Sequence, residues 1–170
     1  MIHKRYVVLF LLLLILLILK YNYIETYVTY FPSKDTIKLV LNKSMYFKHL
    51  NETDKKARNL KDVSLMQTYY NSILSINDID RNTIQKTIQS IDNRVSNKHL
   101  SSINWNIAVF ENIENNYPHT HGDIIFIPHN MVSTITNYKD TLLHEKVHVL
   151  QRTLPHLFNT LYTNYWHMKK

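Results

Sequence analysis

The chain has 170 residues, 45% of them hydrophobic and 19% charged, a composition typical of one folded domain. It contains no cysteine, which excludes disulfides, thiol catalysis and cysteine-ligated metal sites. Gly122 is the only glycine, so glycine-rich phosphate-binding loops and dinucleotide fingerprints are excluded as well. The net charge is +7, but the basic residues are scattered, and we expect no specific nucleic-acid partner.

An unbroken apolar run, YVVLFLLLLILLIL, occupies residues 6–19. If Lys20 extends its ammonium group to the bilayer interface, the apolar segment continues to Ile24 and is long enough to cross a membrane. No small residues of a cleavage site follow, so residues 1–24 are predicted to be an uncleaved transmembrane signal anchor, in contact with the lipid bilayer through residues 6–24. A cleaved signal peptide and a buried core helix are the alternatives.

Lys4 and Arg5 precede the apolar run and favour a cytoplasmic N-terminus. The protein would then be single-pass, with the rest of the chain on the non-cytoplasmic side, although lysines after the run weaken this bias. A tether is predicted over residues 25–34, where Pro32 disfavours regular structure. One folded domain is predicted over residues 35–170.

The first half of this domain is predicted to be mainly helical. The stretch TIKLVL at residues 36–41 is predicted to be a strand. Helices are predicted over residues 62–74 and 80–95, because apolar side chains recur there at helical spacing. The recurring side chains are Val63, Met66, Tyr70 and Ile73 in the first helix, and Ile84, Ile88, Ile91 and Val95 in the second. Asp78 or Asp80 is expected to cap the second helix.

Two strands are predicted next, NWNIAVF at residues 104–110 and DIIFI at residues 123–127. A polar loop that carries His119 and His121 separates them. Helices, then strands, then further helices along the chain predict an α+β domain that is mostly helical with a small β-sheet.

Two helices are predicted to complete the domain. The first is capped by Thr136 or Asn137 and ends at about Thr153, because Pro155 disfavours helix at the residue before it. The second is predicted over residues 155–167. Its inward side chains are expected to be Leu157 or Phe158, Leu161 and Tyr165.

The first of these helices contains TLLHEKVHVLQR at residues 141–152. His144 and His148 are four residues apart and therefore project from the same helical face. Two imidazoles one turn apart can bind one zinc ion, and Glu145 can then act as general base toward a water on that ion. The alternative is an ordinary amphipathic helix with two histidines that bind no metal.

The stretch TLLHEKVHVLQR resembles the active-site helix of zincin metallopeptidases, and PHTHGDIIFIP resembles the edge strand that precedes it. Together they resemble short zincin-like proteins of large DNA viruses, over residues 104–167. The resemblance implies a minimal zincin-like domain with zinc ligands His144 and His148 and general base Glu145. It also implies a protein or peptide substrate that pairs along the edge strand.

The chain departs from the large zincin branches beyond His148. Metzincins carry glycine and histidine where this chain has Gln151 and Leu154. Gluzincins use a downstream glutamate as third ligand, and no acidic residue follows Glu145 here. Peptide deformylase shares the helix motif, but its cysteine ligand is missing from this chain.

The third zinc ligand is predicted to be His167. If the last two helices form an antiparallel hairpin, a zinc ion level with residue 146 faces about residue 163, and His167 misses that level by roughly 6 Å. His119, at the entrance to the edge strand, is a candidate to stabilise the oxyanion. The alternative third ligands are His156, Tyr162, Tyr165, His119 and His121.

These patterns predict a membrane-anchored, zinc-dependent endopeptidase in which a zinc-activated water hydrolyses peptide bonds. The alternative is a catalytically inactive zincin-like protein that serves as a membrane-tethered binding or virion structural protein. The missing acidic ligand favours the inactive alternative, whereas the intact Glu145 favours the enzyme.

Overall fold

The computed structural model describes residues 29–60 and 65–168. The predicted transmembrane segment, residues 6–24, lies outside the described residues. Within the two described ranges, no helix has the length and apolar character needed to cross a membrane.

The described residues form a mixed five-stranded sheet with helices on both sides, which confirms the α+β, mostly helical prediction. The strands are β1 (Thr29–Tyr30), β2 (Ile73–Leu74), β3 (Trp105–Phe110), β4 (His119–His121) and β5 (Ile124–Pro128). The longer helices are α1 (Lys34–Lys43), α4 (Leu65–Ser72), α5 (Asp78–Asp92) and α8 (Lys139–Thr153). The shorter helices are α2 (Tyr46–His49), α3 (Glu52–Ala57), α6 (Lys98–Ser101), α7 (His129–Val132) and α9 (Pro155–Thr160).

The sheet is built around β3, in the order β1-β3-β5-β4. β1 and β5 both run parallel to β3, while β2 pairs antiparallel with its Val109–Phe110 end. β4 runs antiparallel to β5 and lies at one end of this order. The strand that borders the sheet on this side is therefore the short β4, and β5 lies inside.

Alternating side chains of β3 and β5 contribute to two apolar clusters, because successive residues of a strand point to opposite faces. One cluster combines Ile107 and Ile125 with side chains of α5 and α8. The other combines Phe110 and Phe126 with side chains of α1 and α4. The central strands are thus buried on both faces, which explains their nearly continuous apolar sequences.

Both predicted strands are confirmed, and so is the helix α5, although it ends at Asp92 and the predicted position Val95 lies beyond it. Ile84, Ile88 and Ile91 form the buried face of α5, as their spacing predicted. The predicted cap is wrong, because Asn77 occupies that position and its side chain accepts a hydrogen bond from the Asp80 amide at 2.8 Å.

The strand predicted at residues 36–41 is wrong, because this stretch belongs to α1. The Ser33 hydroxyl accepts a hydrogen bond from the Thr36 amide at 3.2 Å and caps the helix. Ile37 and Leu41, one turn apart, are buried, whereas Leu39 is 62% exposed. The burial pattern thus has a helical period, which a short apolar stretch does not distinguish from a strand.

Residues 29–34, which the sequence places in a tether, contribute to the domain. β1 pairs with β3, and Lys34 begins α1. The Arg81 guanidinium lies 4.5 Å from the centre of the Phe31 ring. Only residues 25–28 of the predicted tether lie outside the described residues.

The helix predicted over residues 62–74 is confirmed for Leu65–Ser72. Its buried side chain is Tyr69 rather than the predicted Tyr70, and Ile73 already belongs to β2. Val63 lies outside the described residues.

The end of α8 at Thr153 is confirmed, but the predicted cap at Thr136 or Asn137 is wrong. A 3-10 turn, Ile135–Tyr138, leads directly into the helix without a side-chain cap.

The last predicted helix is confirmed as α9, which continues as a π-helical turn, Leu161–Tyr165. The Trp166 amide donates to the Leu161 carbonyl at 3.1 Å, a bond that spans five residues. This wider turn shifts the inward face, so Tyr162 is half-buried and Tyr165 is 72% exposed. The predicted inward position of Tyr165 is therefore wrong.

The only glycine lies in the two-residue turn between β4 and β5. Gly122 has a φ of +57°, a left-handed conformation that side chains other than glycine, asparagine and aspartate rarely adopt. A Cβ atom at this position would lie 2.8 Å from Val40 Cγ1 of α1. The turn therefore requires glycine for its backbone conformation and for its close approach to α1.

We expect Gly122→Ala to lower the free energy of unfolding by about 2 kcal/mol, because the left-handed backbone disfavours alanine and the added methyl group clashes with Val40. Urea denaturation of the full chain in detergent measures this change. Asn130→Ala, at an exposed position on α7, is the control, and an equal loss in both variants would contradict the prediction.

Candidate metal centre

α8 presents two histidines on one face and a buried lysine on the opposite face. His144 is exposed and His148 is half-buried, and their Nε2 atoms lie 3.0 Å apart. Two nitrogen ligands of a tetrahedral zinc ion are about 3.3 Å apart, given zinc–nitrogen distances of about 2.0–2.1 Å. The two imidazoles are therefore within a few tenths of an ångström of the separation that zinc requires.

Lys146 fixes the back of α8 against the core. Its side chain is 0% exposed, and its Nζ lies 3.1 Å from Asp92 Oδ1 and 4.3 Å from the centre of the Trp105 ring. Trp105 Nε1 donates to both oxygens of the same carboxylate at 3.0 Å. Burial lowers the pKa of Lys146, and the Asp92 carboxylate opposes that shift. The ion pair joins α8 to α5 and β3.

Glu145 completes the metal-binding group. Ligand atoms of His144, Glu145 and His148 all lie within 4.8 Å of one another, and no other such group occurs within residues 29–60 and 65–168. Two imidazole nitrogens suit a zinc ion, and the carboxylate lies close enough to bind either that ion or a water on it. The residues present therefore fit a zinc ion.

Gln151 and Tyr162 orient His148. The His148 Nδ1 atom lies 2.8 Å from Gln151 Oε1, and Gln151 Nε2 donates to the Tyr162 hydroxyl at 2.7 Å. This contact favours the tautomer with hydrogen on Nδ1, which leaves the Nε2 lone pair available to a metal. Gln151 is also one of the two residues that exclude the metzincin pattern. The residue that departs from that pattern is therefore the one that contacts His148.

Glu145 is only 7% exposed. Burial raises the pKa of this carboxyl, while His148, His144 and Arg152 act in the opposite direction. A general base works best when its pKa lies near the pH of the reaction. The raised pKa therefore suits a group that must take up a proton and release it again.

Glu114 is the centre of a second buried group, and it lines the same cavity of about 300 Å³ as Glu145 and His148. Its carboxylate accepts hydrogen bonds from Tyr69, from Tyr46 at 2.6 Å and from Arg58 Nη1 at 2.8 Å. Burial alone would raise the pKa of Glu114, but these three hydrogen bonds lower it below its ordinary value. Glu114 is therefore a buried carboxylate that its donors keep ionised.

The backbone around Glu114 is unusual, because four residues of this loop have positive φ angles. They are Asn112 at 62°, Glu114 at 49°, Asn115 at 51° and Asn116 at 57°. Asparagine tolerates this conformation better than most residues, whereas glutamate does not. The left-handed segment and the hydrogen bonds from Tyr46, Tyr69 and Arg58 hold the Glu114 carboxylate in place.

His119 and His121 contact the same group from β4, and not from a loop as the sequence predicted. Each histidine has its Nε2 atom 3.2 Å from the Tyr69 hydroxyl. His119 Nδ1 lies 3.0 Å from the Tyr117 carbonyl, and His121 Nδ1 lies 3.3 Å from the Ser44 hydroxyl. All four ring nitrogens therefore have partners within the protein, and the role of His119 toward an oxyanion stays a prediction.

None of the candidate histidines among the described residues joins His144 and His148 in this group. His156, Tyr165 and His167 are exposed, and the Tyr162 hydroxyl contacts Gln151 on the Nδ1 side of His148. Among the described residues, the third member of the group is Glu145. The choice of His167 thus stays a prediction.

Sequence reasoning missed the buried polar groups. Glu114, Tyr69, Arg58 and Asp92 are far apart in the sequence and form no motif. The one local signal was the run of asparagines in the polar loop, a composition that tolerates left-handed backbone. No protein-family model, curated protein or solved structure matches the chain, so the assignment of the site depends on its own residues.

We expect Gln151→Leu to weaken zinc binding by about 10- to 100-fold, because the substitution removes the group that orients His148. Competition with a chromophoric chelator measures the affinity on the full chain in detergent. Gln85→Leu, on the exposed face of α5, is the matched control. Unchanged affinity in the Gln151 variant would show that His148 needs no such support.

The buried histidines predict a loss of stability in acid. Burial, followed by the charges of His119 and Arg152, lowers the pKa of His121 to about 3, against about 6.5 in the unfolded chain. Between these values the unfolded state binds the proton and the folded state does not. Stability is therefore complete above about pH 6.5 and falls toward pH 3, by up to about 1.4 kcal/mol per pH unit.

Urea denaturation of metal-free protein between pH 7 and pH 4 tests this dependence. The free energy of unfolding should fall with pH, and His121→Gln should show a shallower decline, because glutamine does not titrate. Equal slopes for the two proteins would contradict the prediction.

Proposed function

We propose that the chain is a membrane-anchored, zinc-dependent endopeptidase in which His144 and His148 hold the ion and Glu145 is the general base. The observation that carries the proposal is the 3.0 Å separation of the two Nε2 atoms, with a buried carboxylate in the same group. Lys146 fixes the opposite face of α8 in the core, and this contact supports the placement of the two histidines.

Zinc, when bound, makes a water acidic enough to lose its proton near neutral pH. Glu145 would accept that proton on a carboxylate oxygen and return it to the leaving amine. His148 keeps its Nε2 atom toward the metal because Gln151 holds its Nδ1 atom. The cavity beside Glu145 provides space for the peptide.

The membrane anchor is proposed from the apolar sequence of residues 6–24. The first described strand, β1, begins at Thr29, so the chain from Ile24 to β1 can extend at most about 18 Å. A short connection of this kind would keep the proposed active site close to the bilayer. Substrates would then be proteins that lie near the same membrane surface.

A second candidate function is a zincin-like protein without catalysis, which acts as a membrane-tethered binding or virion structural protein. One observation favours it: within the described residues, no histidine, aspartate or glutamate beyond Glu145 joins the two histidines. If Glu145 itself binds the metal, it cannot also serve as a free base.

We expect Glu145→Gln to keep one zinc ion per chain and to lower peptide hydrolysis by at least about 100-fold, because glutamine cannot accept the proton. Zinc content and hydrolysis of an unfolded protein substrate are measured on the full chain in detergent. Glu111→Gln, at an exposed position, is the matched control and should retain activity.

The other outcomes of this experiment are equally informative. Absence of zinc at neutral pH from the unmodified chain would refute the proposal. Stoichiometric zinc without hydrolysis of any substrate would favour the binding or structural protein instead.

A further inference from the structure

Arg152, in the last turn of α8, bridges the metal-binding helix and the β4–β5 hairpin. Its Nη1 atom donates to the Gly122 carbonyl at 3.2 Å and to the His148 carbonyl at 3.4 Å. Its Nη2 atom donates to the Thr120 carbonyl at 3.4 Å. The same side chain lines the 300 Å³ cavity that contains Glu145 and His148.

These contacts cover acceptors on the free edge of the sheet. The two-residue turn closes on the pair His121–Ile124, so the next pair, Thr120–Ile125, directs its backbone groups away from each other. The Thr120 carbonyl therefore points to the free side of β4, where Arg152 binds it. Because β4 has only three residues, little of this edge is left for pairing with a substrate strand.

The guanidinium retains two donors in a geometry that suits a carboxylate. Three of its five N–H groups have acceptors, which leaves the Nε–H and the second Nη2–H. In a guanidinium, the Nε–H and the adjacent Nη2–H point in the same direction and can form a bidentate pair with a carboxylate. No carboxylate of residues 29–60 or 65–168 lies within 4.0 Å of Arg152.

The second arginine of the cavity differs in this respect. Arg58 already donates to the Glu114 carboxylate at 2.8 Å. Arg152 is thus the arginine of this cavity that forms no direct ion pair among the described residues, although the Glu145 carboxylate of the same cavity attracts it. It follows His148 by one helical turn. The net charge of +7 would further favour the approach of an acidic ligand.

We propose that Arg152 binds a carboxylate of the substrate beside the scissile bond, so that the preferred substrates are peptides with a carboxylate at that point. The group is either the side chain of an aspartate or glutamate, which agrees with endopeptidase cleavage, or the C-terminal carboxylate of the peptide, which would make the cleavage a carboxypeptidase reaction. This inference rests on the proposed function, since it names the substrate class of the same site.

The test compares peptides that differ only in the carboxylate. One pair has a free or an amidated C-terminus, and the other has an internal glutamate or glutamine near the scissile bond. For the zinc-loaded full chain in detergent, we expect kcat/KM to be about 10- to 100-fold higher for the carboxylate member of one pair. Preference within the first pair identifies the C-terminus as the source, and preference within the second identifies a side chain.

Substitutions then assign the preference to Arg152. In Arg152→Gln the ratio should fall to about one, and in Arg152→Lys it should be intermediate, because lysine keeps the charge but not the paired donors. Arg94→Gln, at an exposed position, is the matched control and should keep the ratio. The comparison of peptides on the unmodified chain needs no variant, so a folding defect in Arg152→Gln cannot decide the outcome.

A binding measurement separates this inference from the proposed function. Calorimetry with zinc-loaded Glu145→Gln compares the dissociation constants of the same peptide pairs without hydrolysis. A ratio of about one in both assays would overturn the role of Arg152 and leave zinc-dependent hydrolysis intact. Tighter binding of a carboxylate peptide without any hydrolysis by the unmodified chain would support Arg152 and refute the peptidase.

Discussion

The buried ion pair between Lys146 and Asp92 determines how α8 can lie on the sheet. A charged ammonium group in an apolar core is costly unless its partner is fixed, and Trp105 fixes the Asp92 carboxylate from β3. Rotation or translation of α8 would separate these charges. Because Lys146 points inward, His144 and His148 must point away from the core. The orientation of the metal-binding face thus follows from a contact on the opposite side of the helix.

The group around Glu114, which also lines the cavity, likewise combines unfavourable and favourable interactions. The left-handed backbone at Glu114 is unfavourable for a glutamate, and burial of its charge is unfavourable as well. Three charge-assisted hydrogen bonds offset these costs, two of them from tyrosines of α2 and α4. The network joins the N-terminal helices to β4 through Tyr69. The edge strand is therefore held by side chains from both ends of the domain.

The sequence predicted the elements whose burial has a clear period, and a local motif predicted the helix that brings His144, Glu145 and His148 together. α5 shows three isoleucines on one face, and His144, Glu145 and His148 lie within five residues. The prediction from sequence failed at α1, because the six residues TIKLVL fit the period of a strand as well as that of a helix. The Ser33 cap favours the helix. The prediction from sequence also missed Lys146 and its partner Asp92, which are 54 residues apart. A lysine in a helix is normally assigned to the solvent face, and only the tertiary structure shows its acidic partner.

The departure of this chain from the metzincin pattern removes a ligand position and also lengthens α8. Glycine at position 151 would favour the end of the helix soon after His148. With Gln151 there instead, α8 continues to Thr153 and adds more than one turn. Gln151 then reaches Tyr162 of the final π-helical turn and supports His148 from behind. Arg152, one residue later, reaches the β4–β5 hairpin. The extension that removes a familiar ligand position therefore brings Gln151 into contact with His148 and places Arg152 at the cavity that Glu145 lines.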